Sequence, residues 1–172
     1  SDKLINYNIT EPIELKVSMG LHFVLKELFG YDEFREGQLP IIVGLLNLKD
    51  TVGILPTGSG KSLCYQFCCM LQPAVSFVVS PLISLQIDQK RNLDNFGITH
   101  TNFISSIVSA WERSRINAEF GKRKYHIVWI SPERFQSVKF RDEIAVINKQ
   151  SNFAYAVIDE VHCLSEWGHD FR

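Results

Sequence analysis

No apolar run in this chain is long enough to span a bilayer, and no secretory leader pattern opens it. A soluble, intracellular protein is therefore expected, in cytoplasm or nucleoid if bacterial and in the nucleus if eukaryotic, with no membrane partner. Net charge is nearly absent: 18 Lys and Arg face 19 Asp and Glu, a formal balance of −1. That excludes a polybasic nucleic-acid binder, so any nucleic-acid surface must be local. Cysteine is sparse. Cys64, Cys68, Cys69 and Cys163 form no Cys-x-x-Cys pair, and three of them crowd one expected helix. Buried thiols in a reducing compartment are the better reading than a disulfide framework or zinc site. Internal repeats and low-complexity tracts are missing too. What remains is an ordinary globular composition, 45% apolar and 22% charged over 172 residues, enough for one domain.

Residues 1–18 differ from the rest. Ile5, Tyr7 and Ile9 alternate, as do Ile13, Leu15 and Val17, which predicts a hairpin or extended arm, or else a remnant outside the domain; the domain proper then runs over 19–172. Leu21, Val24, Leu25 and Leu28 predict an amphipathic helix stopping at Gly30, and a second helix is expected over about 37–48. Thereafter strands and helices alternate. Strands are predicted at 51–55, 75–80, 99–104, 126–131 and 154–159, the last read as fully buried. Helices are predicted near 61–71, 82–96, 110–120 and 139–148. Units of this kind imply right-handed crossovers and a parallel sheet in an α/β fold, with helices on both faces.

Two segments carry chemistry. Leu55-Pro56-Thr57-Gly58-Ser59-Gly60-Lys61-Ser62 lies between a predicted strand and helix. Gly58 and Gly60 allow the backbone to curl so that successive N–H groups point inward, and the helix start adds its positive end. Thr57, Gly58, Ser59 and Gly60 then cradle phosphates, Lys61 reaches the β and γ phosphates, and the Ser62 hydroxyl suits Mg²⁺. Asp159 and Glu160 follow the apolar run Phe153–Ile158, at the strand end where an open α/β sheet places its chemistry. Asp159 suits the Mg²⁺ shell, and Glu160 suits polarising an attacking water. Lys61, Asp159 and Glu160 are the candidate catalytic residues. A neighbouring histidine, His162, suits a link from this site to the next loop.

These segments, in this order, resemble the first RecA-like lobe of a superfamily 2 helicase, and within it the RecQ DNA helicases, over about 21–172. Leu25 to Gln38 resembles motif 0, the phosphate loop through Gln66 motif I, and Val78 to Gln89 motif Ia. Ser131-Pro132-Glu133-Arg134 resembles a further segment of the lobe, and Asp159 to His162 motif II. Cys163 to Arg172, with Ser165-Glu166-Trp167-Gly168-His169-Asp170-Phe171-Arg172, resembles the aromatic-rich loop that sets RecQ enzymes apart.

The resemblance implies a RecA-like P-loop NTPase fold and ATP with Mg²⁺ as cofactors. It implies that Tyr31 stacks on adenine while Arg35 and Gln38 bond its edges. Ser80, Ser84 and Gln89 would meet DNA phosphates. Trp167, His169, Phe171 and Arg172 would stack on single-stranded DNA and, with His162, report its presence to the carboxylates. Single-stranded and partly duplex DNA are the implied partners, 3′→5′ unwinding the implied activity, and repair and recombination the implied setting. Val161 stands where motif II usually has alanine, Glu36 where motif 0 often has proline, and Leu55 where the loop pattern has its first glycine. The chain ends before motif III and the second RecA-like lobe, so a truncated lobe that binds ATP and turns it over poorly is expected, the partner lobe supplying the arginine finger. Two other readings stand beside this one: an RNA helicase of the Asp-Glu-x-His or Asp-Glu-Ala-Asp groups, and a non-catalytic ATP-binding switch.

Overall fold

The computed structural model describes residues 13–122 and 124–161. Among them, the order is α1 (Ile13–Phe29), α2 (Gln38–Leu46), α3 (Lys61–Met70), β1 (Ser76–Val79), α4 (Ile83–Asn95), β2 (Thr101–Ile104), α5 (Ala110–Gly121), β3 (Ile127–Ile130), α6 (Val138–Ser151) and β4 (Ala156–Ile158), with a 3-10 turn over Pro132–Gln136. The four strands are parallel, in the spatial order β2-β3-β1-β4.

Side-chain alternation on β3 divides the interior in two. Ile127 and Trp129 face a cluster built from Leu25 and Phe29 of α1, Ile42 of α2, Phe67 and Cys68 of α3 and Val78 of β1. Val128 and Ile130 face the opposite cluster, with Ile104, Ile116, Phe120, Phe140 and Ile147. A strand buried on both faces must read as an unbroken apolar run, and Ile-Val-Trp-Ile does so. The indole N–H of Trp129 is not stranded, because it donates to the Tyr65 hydroxyl at 3.3 Å. Short polar side chains start the later helices. The Ser109 hydroxyl accepts from the Glu112 backbone N–H on α5, and that of Ser137 from the Phe140 N–H on α6. The expected α/β sheet with helices on both faces is what forms.

Three expectations need correction. The helix predicted from Leu21 begins at Ile13 instead. The alternation at Ile13, Leu15 and Val17 is overridden, since no proline interrupts residues 13–29 and the helical backbone runs through them. A domain boundary between 18 and 19 therefore falls inside α1, while residues 1–12 lie outside the described residues. Secondly, residues 51–55 join no ladder. A groove of about 330 Å³ is lined by Thr51, Gly53, Ile54 and Leu55 and by Ala156, Val157 and Ile158 of β4. Without backbone pairing to a neighbouring strand, β-type residues form no sheet; Val52 and Ile54 are 82% and 89% exposed. Thirdly, β4 is an edge and not a fully buried strand, because its only described neighbour is β1. Ala156 and Ile158 are consequently exposed.

Candidate nucleotide site

The phosphate loop is held by the segment before it in space, not by its own turns alone. Gly58 and Gly60 take φ of +79° and +78°, left-handed values that most side chains resist. Gly60 begins α3 with no side-chain cap, so the first N–H groups of that helix are left for a ligand. Arg35 donates from Nη1 to the Gly58 carbonyl at 2.6 Å, and the Gln38 amide donates from Nε2 to the Ser59 and Gly60 carbonyls, both at 3.0 Å. Gln38 Oε1 in turn accepts the Arg35 backbone N–H at 2.9 Å. A β-carbon on Gly60 would stand 2.8 Å from Gln38 Nε2. The glycine therefore permits the close approach as well as the turn. The sequence pointed to Arg35 and Gln38 for a base; the structure places them on the loop backbone. Tyr31 presents a half-exposed ring with its edge against Phe96, centroids 6.0 Å apart.

Across the site, the β4 strand continues into Asp159, whose backbone N–H donates to Val79 O at 2.9 Å. Glu160 takes φ +56° and donates its own N–H to Asp159 Oδ1 at 3.1 Å. That turn carries the Glu160 carboxylate to 3.8 Å from the Lys61 ammonium. Loop and carboxylate pair thus converge, although 99 residues separate Lys61 from Glu160 in sequence. Burial raises the Asp159 carboxyl above the ordinary carboxylate range, and the neighbouring Glu160 charge raises it further, against the lowering effects of the Glu160 N–H and Lys61. A divalent cation would relieve both raising effects. The uncapped helix start, Lys61, the Ser62 hydroxyl and this paired carboxylate form the donor and acceptor set that a nucleotide polyphosphate and its Mg²⁺ require.

The hydrogen bonds behind the loop escaped the sequence reading. The Ser62 hydroxyl accepts from Gln89 Nε2 of α4 at 2.6 Å. Gln89 Oε1 accepts a short hydrogen bond from Gln66 Nε2 of α3. Ser62 also bonds the Tyr65 hydroxyl, which burial, foremost, and the Asp159 charge hold well above the ordinary phenol range. Neutral glutamines carry no motif signal in isolation, and only the packing of α4 against α3 reveals the chain. Of the other residues expected on a DNA face, Ser84 is exposed in the first turn of α4. Ser80 has its hydroxyl buried under the sheet, and its carbonyl accepts from Gln86 Nε2 at 2.7 Å. Neither serine caps α4, whose N-cap is Leu82. His162, Trp167, His169, Phe171 and Arg172 lie outside the described residues.

A glycine-rich loop at a helix start, facing a strand-end carboxylate pair on a parallel α/β sheet, defines a P-loop nucleotide-binding domain. The DEAD/DEAH box helicase model matches residues 35–172, and the chain belongs to that family. It is RecQ-like within it. It is 38% identical over 149 residues to the ATP-dependent DNA helicase Q-like 5 of Arabidopsis thaliana, covering 87% of this chain and 16% of that relative. It is 37% identical over 149 residues to the ATP-dependent DNA helicase RecQ of Haemophilus influenzae, covering 87% of this chain and 23% of the relative. The chain thus spans less than a quarter of either. A similar solved structure, the DUF1998 helicase MrfA bound to DNA and AMPPNP, superposes with a TM-score of 0.66 at 24% identity, over 83% of this chain and 20% of that one; this likeness concerns the fold. Among the described residues, no helix is long and apolar enough to cross a membrane.

Proposed function

We propose that this chain is the nucleotide-binding lobe of an ATP-dependent DNA helicase of RecQ type, acting with a second RecA-like lobe to move 3′→5′ along single-stranded DNA. The observation that carries the reading is the approach of Lys61 to Glu160 at 3.8 Å, phosphate loop to strand-end carboxylate. Lys61 and the loop N–H groups bind the polyphosphate, while Ser62 and Asp159 would hold Mg²⁺, which when bound would supply positive charge against the phosphates. Glu160 orients the attacking water and accepts its proton, with Lys61 at 3.8 Å holding the carboxylate in place.

Tyr31 offers its ring to adenine. Arg35 retains guanidinium N–H groups for the base edge, whereas Gln38 has both amide hydrogens on the loop and only Oε1 capacity to spare. Ser84 meets a DNA phosphate, and the aromatic segment 162–172 reads single-stranded DNA by stacking. DNA is favoured over RNA because the relatives are named DNA helicases. Repair and recombination are the setting that fits such an activity.

The test is Mg²⁺-dependent binding of a fluorescent ATP analogue by this chain, paired with ATPase assays on the intact parent protein with single-stranded DNA or RNA. Binding that Lys61→Ala abolishes, with DNA as the stronger stimulant, is expected. Nucleotide binding indifferent to Lys61→Ala would overturn the site. Dominant RNA stimulation would overturn the choice of nucleic acid.

A further inference from the structure

We infer that Gln89 is a positioning residue for the cation side of the nucleotide site, acting through the Ser62 hydroxyl; this deepens the nucleotide reading above and rests on it. A serine hydroxyl can donate once and accept twice. Left alone, it rotates among staggered positions, and its lone pairs face any direction the rotor allows. Here Gln89 Nε2 occupies one lone pair at 2.6 Å. The hydroxyl proton goes to the Tyr65 oxygen, and the other lone pair is left for a divalent cation. In this arrangement Gln66 Nε2 donates to Gln89 Oε1, and the Gln89 amide presents its nitrogen to Ser62. Gln66 is buried on α3, while Ser62 and Gln89 are half-buried, so the relay runs from the interior out to the site.

The relay also ties two elements together. Ser62 and Gln66 stand on α3, one turn apart, and Gln89 stands on α4. The helix α4 is anchored a second time by Gln86, whose Nε2 bonds the Ser80 carbonyl at 2.7 Å and the Ser131 hydroxyl at 3.2 Å. Both glutamines are side chains of one rigid helix, and both point toward the sheet side of the site. Exposed Ser84 lies five residues before Gln89, about 7.5 Å along the axis. A displacement of α4 at its first turn would therefore be felt at Ser62. Gln89, which motif resemblance assigns to a DNA phosphate, is in this arrangement turned inward toward the nucleotide.

The experiment measures the Mg²⁺ concentration needed for half-maximal binding of N-methylanthraniloyl-ADP by the unaltered chain, Gln89→Ala, Ser62→Ala and the double variant. Gln89→Met, close in volume but without the amide donor, repeats the measurement should the alanine variant fail to fold, with urea midpoints recorded for each. Loss of one orienting hydrogen bond is expected to raise the Mg²⁺ midpoint about three- to tenfold, with little change in nucleotide binding measured without Mg²⁺. In the Ser62→Ala background the same substitution is expected to shift nothing further, since the coupling runs through that hydroxyl. An unchanged midpoint in Gln89→Ala and Gln89→Met, or an equal shift with and without Ser62, overturns the assignment. If the unaltered chain binds no nucleotide, the site reading itself fails and the proposal falls with it.

Discussion

Gln38 separates two accounts of how the site recognises its ligand. Motif resemblance gives its amide to adenine, whereas in the structure both amide hydrogens go to the Ser59 and Gly60 carbonyls. Replacing it by alanine removes those two bonds and leaves the Arg35 backbone N–H without its Oε1 acceptor. At a net value of about 0.5–1.5 kcal/mol each, three lost bonds cost about 1.5–4.5 kcal/mol of stability. The two loop bonds account for most of the binding effect. A loop no longer held in advance must be ordered when phosphate arrives, and a deficit of about 1.4 kcal/mol is a tenfold loss of affinity. The loop account therefore predicts similar losses, about tenfold, for ADP, GDP and pyrophosphate, read by calorimetry on Gln38→Ala.

Gln38→Glu sharpens the contrast. It keeps the oxygen that Arg35 needs but turns a carboxylate oxygen toward two carbonyls that stood 3.0 Å from an amide nitrogen. The loss at neutral pH should exceed that of alanine and ease on acidification, because a protonated carboxyl can donate to one carbonyl. Pyrophosphate binding that survives Gln38→Ala, with the loss confined to adenine nucleotides, would refute the loop account.

Three further outcomes follow from the same geometry. Asp159→Asn removes a carboxylate whose folded-state pKa is raised by burial and by Glu160, and keeps an oxygen for the Glu160 N–H. The penalty for holding the charge is absent where folded and unfolded chains are both protonated, and it grows as pH rises through the raised folded value. The variant's urea midpoint should therefore exceed the unaltered chain's at about pH 7 and converge on it toward about pH 4; a gap indifferent to pH would count against the raised carboxyl. Burial pushes the Cys64 thiol up to about 11 and the Cys69 thiol up to about 12. At about pH 8 a thiol near 11 is only about 0.1% thiolate, so iodoacetamide should label Cys64 and Cys69 slowly in the native chain and at once in urea, read by peptide mapping. Finally, Gly58→Ala and Gly60→Ala both force alanine into the left-handed region, a cost of about 1–2 kcal/mol. Only the Gly60 β-carbon meets a neighbour, Gln38 Nε2 at 2.8 Å, whereas Gly58 faces open space. The Gly60 variant should consequently lose more stability and more nucleotide affinity, and equal losses would contradict the clamp.

How much of this was legible in the sequence depends on how local each signal is. β3 could be read because a strand buried on both faces needs an apolar residue at every position, and α5 because Gly121 marks its end. The loop at 56–62 and the pair Asp159-Glu160 could be read because phosphate and cation chemistry demand particular residue types in short order. The failures share one cause, that the deciding partner is remote in sequence. Thr51–Leu55 has the composition of a strand, but a strand is a relation between two segments, and among the described residues a groove stands where its partner would pair. β4 looked central for the same reason, its apolar run saying nothing about which side of it is occupied.

The motif residues Arg35, Gln38 and Gln89 show the subtler form of this limit. Their positions were legible and their hydrogen-bond targets were not. An amide or guanidinium can serve a base, a phosphate or a backbone carbonyl equally well, and the choice is made by whatever packs within about 3 Å. Here the nearest acceptors are the loop's own carbonyls and the Ser62 hydroxyl. Polar residues that sequence resemblance assigns to ligands are thus spent, in this fold, on holding the groups that bind them. A nucleotide then meets a loop already set in shape, and the energy of that ordering is drawn from folding instead of from binding.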